Sequence, residues 1–190
     1  RRTAKRLVNI CIIIRVERDA SINNFNIEMF HEENFMNIQV VEADFDNQKH
    51  VEHILFLTNA YAKDIMGGGK SLSEEVLGAM IEGYKAMPTA LPFLAYVDEE
   101  PVGLANCFWG YSTFYAKKLI YIHDLGVVPD VREMGIGKAL IEAVVAKAKA
   151  HECCKVTLEV LENNPARRLY EREGFKYGNT PLFYMSKLLV

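Results

Sequence analysis

The run Leu125-Gly126-Val127-Val128-Pro129-Asp130-Val131-Arg132-Glu133-Met134-Gly135-Ile136-Gly137-Lys138-Ala139 joins an apolar strand to an amphipathic helix through a turn bearing two glycines. Behind the turn, Leu140, Ile141, Val144, Val145 and Ala148 recur at helical spacing, which predicts a helix over 136–150. A strand-to-helix junction of this kind suits a phosphate group. Glycine lets backbone approach an anion closely, the first N–H groups of a helix have no partner within it, and the helix dipole favours negative charge there. Arg132 and Lys138 add positive charge at the two ends of the turn.

Spacing excludes two of the phosphate-binding patterns. The dinucleotide pattern G-x-G-x-x-G needs glycine at position 140, where the chain has Leu140. The mononucleotide pattern G-x-x-x-x-G-K-[ST] finds only a decoy in Gly67-Gly68-Gly69-Lys70-Ser71, because its first glycine would fall on Asp64. That decoy follows a helix-like segment instead of a strand, and reads as a flexible loop.

About thirty residues on lies Leu158-Glu159-Val160-Leu161-Glu162-Asn163-Asn164-Pro165-Ala166-Arg167-Arg168-Leu169-Tyr170-Glu171-Arg172-Glu173-Gly174-Phe175. Together the two segments resemble the GCN5-related N-acetyltransferase (GNAT) superfamily: its pyrophosphate loop, Arg132-x-x-Gly135-x-Gly137-Lys138-Ala139 after Leu125-x-Val127-x-Pro129, and its closing strand, Asn-bearing turn and Leu-Tyr helix. The resemblance runs from about Met36 to the C-terminus, with the strand-like Met36 to Asp44 similar to the family's first strand. It implies an α/β (α+β) fold of the acyl-CoA N-acyltransferase type, a mixed, splayed central β-sheet flanked by helices. Residues 1–35 have no counterpart in it and read as an N-terminal extension of unknown role; residues 36–190 read as the N-acetyltransferase domain.

The resemblance also implies a site. Acetyl-CoA is the expected cosubstrate and a primary amine the expected acceptor, attacking the thioester directly. Leu125, Gly126 and Val127 would flank the acetyl and pantetheine groups, while Arg132, Glu133, Met134, Gly135, Ile136, Gly137, Lys138 and Ala139 would take the pyrophosphate. Asn164 matches the cofactor-contacting asparagine, with Asn163 the alternative in members one residue longer. Tyr170 matches the general acid that protonates the departing thiolate, a task suited to a phenol that is neutral at pH 7. Its plain alternative is a core tyrosine on an amphipathic helix. For the general base, His123 and Glu159 stand at positions other members use, and a water-mediated base is the third option. Period-two alternation would put Tyr121, His123, Leu125 and Val127 on one strand face.

Composition agrees with one compact enzyme domain. The chain has 190 residues, half of them hydrophobic, which is enough for a full core, and no Pro/Gly/Ser-rich linker. No apolar run reaches the roughly 20 residues needed to span a bilayer. Arg1, Arg2, Lys5 and Arg6 before Leu7 to Ile14 mimic a signal peptide, but Asn9 and Arg15 interrupt the run and no small-residue cleavage site follows. Cys11, Cys107, Cys153 and Cys154 form no metal or redox spacing, so no metal is expected and a cytoplasmic setting is. Met36 stands directly before the first family-like strand, so residues 1–35 are expected to be dispensable for catalysis and to lie upstream of a natural start. Against this, Val8, Ile10, Ile12 and Ile14 alternate like a strand that packs on the sheet or on a partner.

Charge is uneven along the chain. Residues 19–100 hold 15 acidic residues against 4 lysines and no arginine, while residues 101–190 hold 12 basic against 9 acidic. The acidic segment includes the two early helices that in this family select the acceptor, so the acceptor is expected to be cationic or neutral. No basic stripe interleaved with aromatics points to nucleic acid, and no membrane partner is expected. A homodimer is a further expectation.

The remaining elements follow from periodicity: helices over 50–66 and from Ser73 to before Pro88; strands near 38–44, 92–97, 102–111, 119–128 and 156–160; a short helix near 166–172; and final strands near 175–177 and 182–188. Two other functions compete. A non-catalytic CoA-binding sensor would not need Tyr170, and a nucleotide hydrolase or kinase would need Ser/Thr where Ala139 stands.

Overall fold

Among the described residues seven strands lie in chain order in one sheet, β1 Ile14–Arg18, β2 Asn24–Met29, β3 Ile38–Glu42, β4 Ala90–Val97, β5 Glu100–Ser112, β6 Lys117–Val127 and β7 Val156–Leu158. The computed structural model describes the strand backbones at 14–18 and 24–29, and residues 37–178 and 185–189. Neighbouring strands are antiparallel from β1 to β6, and β7 joins β6 in parallel, which makes the sheet mixed. β2 pairs with β3 through Phe25 opposite Val40, so the sheet continues back across position 36. Residues 1–13, including most of the alternating Val8–Ile14 run, lie outside the described residues.

Among the described residues four α-helices cover the sheet: α1 Gln48–Lys63, α2 Glu74–Lys85, α3 Ile136–Ala150 and α4 Arg167–Arg172. Asn47 caps α1 by accepting from Lys49 and His50, and the Ser73 hydroxyl caps α2 by accepting from the Val76 N–H at 3.2 Å. Each cap satisfies N–H groups that a helix start leaves open. No helix among the described residues is long and apolar enough to cross a membrane.

The two faces of the sheet carry separate cores. On one, Ile136, Leu140 and Val144 of α3 pack on Val40, Phe93, Ala105, Cys107 and Ile120. On the other, Ile54 and Leu57 of α1 and Ile81 of α2 pack on Val41, Leu94 and Leu104. β4 lies between them, with its six middle residues buried. Burying each aliphatic side chain is worth about 1.5–3 kcal/mol. Lys147, itself 8% exposed, reaches from α3 to an ion pair with Glu42 at the end of β3.

At the C-terminal end the described strands depart from the sequence expectation. Residues 175–177 form no strand, and 185–188 form none either, while 182–184 lie outside the described residues. The strand expected over 156–160 stops at Leu158, because β6 offers pairing only at Ile120, Tyr121 and Ile122.

Candidate active site

The turn after β6 bends through a short 3₁₀ segment, Pro129–Val131, and then through two left-handed residues, Glu133 at φ 66° and Gly135 at φ 91°. Glycine adopts the second without strain, and it places Gly135 as the N-cap of α3 with no side chain covering the helix start. The first N–H groups of α3 are thereby left for an external acceptor. Ile136 and Ala139 are buried beneath them, at 1% and 0% exposure, so at these positions only backbone is available to a ligand. Met134 is exposed at the tip of the turn, and Lys138 forms a 3.6 Å pair with Glu142 one turn along.

β6 and β7 separate beyond Ile122 and Leu158, so among the described residues the last five of β6 have no strand partner on that side. This is the splay that the sequence resemblance implied. Gly126 lies within it under the ring of Tyr61 from α1; a β-carbon there would sit 3.1 Å from Tyr61 Cβ and Cδ2. Leu57, Tyr61, Gly126, Val127, Pro129 and Arg132 line a small cavity of about 20 Å³ at this point. Arg132 is less free than its sequence position implied. Its Nε donates to the Val127 carbonyl at 3.0 Å and its Nη2 pairs with Asp64 Oδ2 at 2.7 Å. The Met66 N–H first, and then Arg132, hold the Asp64 carboxyl below its ordinary value.

α4 brings Tyr170 to the same region. Leu169 packs where a β-carbon on Gly137 would be, 3.0 Å from its Cδ2, which seats α4 against the start of α3. Tyr170 is 8% exposed, with its ring edge-on to Phe175 at 6.0 Å. Burial, and then the neighbouring Tyr61, push the Tyr170 phenol up to about 12. Asn164 Oδ1 accepts from the Ala166 N–H at 2.9 Å, so part of this side chain builds the turn into α4. Asn163 is exposed, and Glu159 is exposed just past the end of β7.

The shared face expected for Tyr121, His123, Leu125 and Val127 is not what forms. Asn106 of β5 pairs with Asp124 and Cys107 with Ile122, so His123 is an extra, bulged residue. Tyr121 and His123 face the α1/α2 side, where His123 meets Phe108 edge-on at 6.0 Å and its Nδ1 lies 3.3 Å from the Tyr121 hydroxyl. Past the bulge, Leu125 and Val127 pack on the α3 side. The bulge also keeps Asp124 on the α1/α2 side, where Asn106 Nδ2 donates to its Oδ2 at 3.0 Å. Asp124 and Tyr61 lie at the candidate site, and the sequence reading did not single them out. A pair of polar residues predicted on adjacent strands was the only available signal for the first.

Comparison with known proteins agrees with this geometry. An acetyltransferase (GNAT) family model matches residues 55–175, more than half of the 190-residue chain. An uncharacterised N-acetyltransferase of Methanocaldococcus jannaschii is 36% identical over 86 residues, 44% of this chain and 38% of that protein. Thialysine N-epsilon-acetyltransferase of Bos taurus is 31% identical over 112 residues, 54% of this chain and 64% of that protein. The chain thus spans less than two thirds of either relative. Among solved structures, the aminoglycoside N-acetyltransferase AAC(6')-Iy in complex with CoA superposes with a TM-score of 0.64 at 18% identity, covering 83% of this chain and all of that one, a likeness of fold. With the family model spanning the splayed strand, the glycine turn and the Tyr170 helix alike, this chain belongs to the GNAT acetyltransferase family.

Proposed function

We propose that this chain is an N-acetyltransferase that moves the acetyl group of acetyl-CoA to a primary amine by direct attack on the thioester. The observation that carries this reading is the convergence of three elements in one region: the uncapped start of α3, the unpaired end of β6, and the buried Tyr170. The residues fit the cosubstrate. Backbone N–H groups from Gly135 onward receive the pyrophosphate, Arg132 and Lys138 supply countercharge, and the backbone around Val127 lines the thioester. For Arg132 to meet phosphate it must leave Asp64.

In the transfer, the amine lone pair forms the new C–N bond as the C–S bond breaks. The departing thiolate takes its proton from the Tyr170 hydroxyl, which burial keeps neutral. The proton released by the amine passes to a base. His123 suits this role better than Glu159 because it lies on the α1/α2 face near Asp124, whereas Glu159 sits past the end of β7. Water can carry the same proton to solvent.

The acceptor is a cationic or neutral amine, in keeping with the 15 acidic residues between positions 19 and 100 and with a relative named for thialysine. A cytoplasmic setting suits the free thiols of Cys107, Cys153 and Cys154. A panel of amines assayed for thiol release from acetyl-CoA tests the reading. Release that depends on a cationic amine, and that falls as ionic strength rises, is the expected result. CoA binding with no thiol release for any amine would leave the non-catalytic sensor in its place.

A further inference from the structure

β5 and β6 outrun their neighbours at the end of the sheet away from the glycine turn. β4 begins at Ala90 opposite Phe108, and just outside it the Trp109 N–H donates to the Thr89 carbonyl at 2.7 Å. β7 begins at Val156 opposite Ile120, and the Cys154 N–H donates to the Lys118 carbonyl at 2.9 Å. Past these points, among the described residues, β5 and β6 pair only with each other, Tyr111 with Lys118 and Ser112 with Lys117. A turn over 113–116, closed by Ala116 in left-handed backbone at φ 48°, ends this two-stranded finger.

The finger carries rings into solvent. Phe114 is 98% exposed at its tip, Tyr115 66% and Tyr111 62%. Lysines surround its base. Lys117 and Lys118 open β6, Lys149 stands in the last turn of α3, and Lys155 precedes β7; all four are exposed, and none forms an ion pair among the described residues. Lys118 Nζ lies 5.7 Å from the centre of the Trp109 ring, which meets His151 edge-on at 4.9 Å, so the end of α3 packs beside the finger. Against these lysines stand Glu152, next to His151, and farther off Asp44 and Asp46 after β3. Three strands separate β3 from β6, about 14 Å, which exceeds the roughly 8 Å over which exposed charges act at physiological salt.

We infer that this finger docks on an anionic lipid surface, with Phe114 and Tyr115 entering the boundary between headgroups and acyl chains and the lysines meeting the anionic headgroups. An apolar ring gains by leaving water, a phenol keeps one end wet, and a lysine stem lies along apolar surface while its ammonium reaches outward. Such attachment needs no apolar run of spanning length, the feature on which the sequence expectation of no membrane partner rested. The three rings expose about 450 Å² at roughly 200 Å² each, short of the roughly 800 Å² per partner of a stable protein interface. A single nucleic-acid strand needs a groove that tracks its backbone, whereas these rings project from a tip. Lys117 and Val127 stand at opposite ends of β6, about 30 Å apart at roughly 3.3 Å per residue. Docking by the finger therefore turns the start of α3 away from the lipid and leaves it open to solvent.

Cosedimentation of the full chain with vesicles tests this, using phosphatidylcholine alone or with about one third phosphatidylserine. The expected result is binding about tenfold or more tighter to the anionic vesicles, weakening as salt rises. Phe114→Ser with Tyr115→Ser is expected to weaken binding at every salt concentration, and Lys117→Glu with Lys118→Glu to remove the anionic preference. All four side chains are exposed, so melting temperatures should match the parent's. Binding of the parent to neither vesicle, equal binding to both, or binding unchanged in both variants overturns the inference. So does tighter binding to a single-stranded oligonucleotide than to vesicles. A mass that doubles with concentration in the parent and not in the ring variant also overturns it, and makes the tip an interface between copies of this chain.

Discussion

Gly137 and Leu169 meet at the seam between α3 and α4, with Leu169 Cδ2 only 3.0 Å from where a Gly137 β-carbon would stand. The glycine turn and the Tyr170 helix are thus one packed unit. Bulk at Gly137 strikes this seam from within, not only the phosphate space outside it, and overpacking costs about 1–3 kcal/mol. Gly137→Val is expected to lower both thermal stability and CoA affinity. Adding Leu169→Ala is expected to return part of the stability. Calorimetry showing undiminished CoA affinity in Gly137→Val would refute the seam's role.

Gly135 fails differently, since its requirement is conformational. At φ 91° a side chain costs about 1–2 kcal/mol, so Gly135→Ala is expected to weaken CoA binding through a distorted helix start. No second-site change at Leu169 should relieve it, and CoA titrations of the double variant check this.

Arg132 pairs with Asp64, and on the proposed reading it must also meet the incoming phosphate. Asp64→Asn is expected to free Arg132 and tighten CoA binding about two- to fivefold, an exposed pair being worth about 0.2–1 kcal/mol. The pair's stabilising effect also has a pH signature. Because the folded-state carboxyl lies below its ordinary value of 3.8, the effect is present above that value and is lost as pH falls through the lower folded-state one. Melting curves of parent and Asp64→Asn should converge once pH has fallen through that lower value; a gap that persists in strong acid would show the ion pair is not its source.

Tyr170→Phe is expected to slow the chemical step by about 10²–10⁴-fold with CoA affinity nearly unchanged. The raised phenol keeps its proton until pH approaches about 12, so the parent's rate should show no alkaline limb from Tyr170 below about pH 11. Single-turnover kinetics decide the matter, and an unchanged rate in Tyr170→Phe returns the residue to a packing role.

A chain beginning at Met36 is expected to keep CoA binding and turnover, because α1, β6, α3 and α4 supply the whole candidate site. It also exposes the β3 edge that pairs with β2 through Val40 and Gln39. A free edge invites strand-to-strand association, so increased aggregation at high concentration is expected alongside full activity. Light scattering and the thiol-release assay measure the two separately.

The glycine turn, the helices from Ser73 and over 136–150, and Tyr170 on a short late helix were all legible in the residues themselves. Each depends on local chemistry: a cap, a left-handed glycine, or apolar positions at helical spacing. What strand periodicity could not reveal was the bulge at His123. Alternation assumes an unbroken ladder, and the ladder is broken by pairing with β5, a partner that Asp124 meets at Asn106, eighteen positions away. One extra residue moves Leu125 and Val127 to the α3 face and keeps Asp124 among the rings. Arg132 likewise finds Asp64 across 68 positions. The sequence by itself determined the family, the glycine turn and the short helix of the candidate acid, because these rest on short-range patterns. Only the tertiary structure decided which side chains share the α1/α2 face, because that depends on strand register and on contacts between residues distant in the chain.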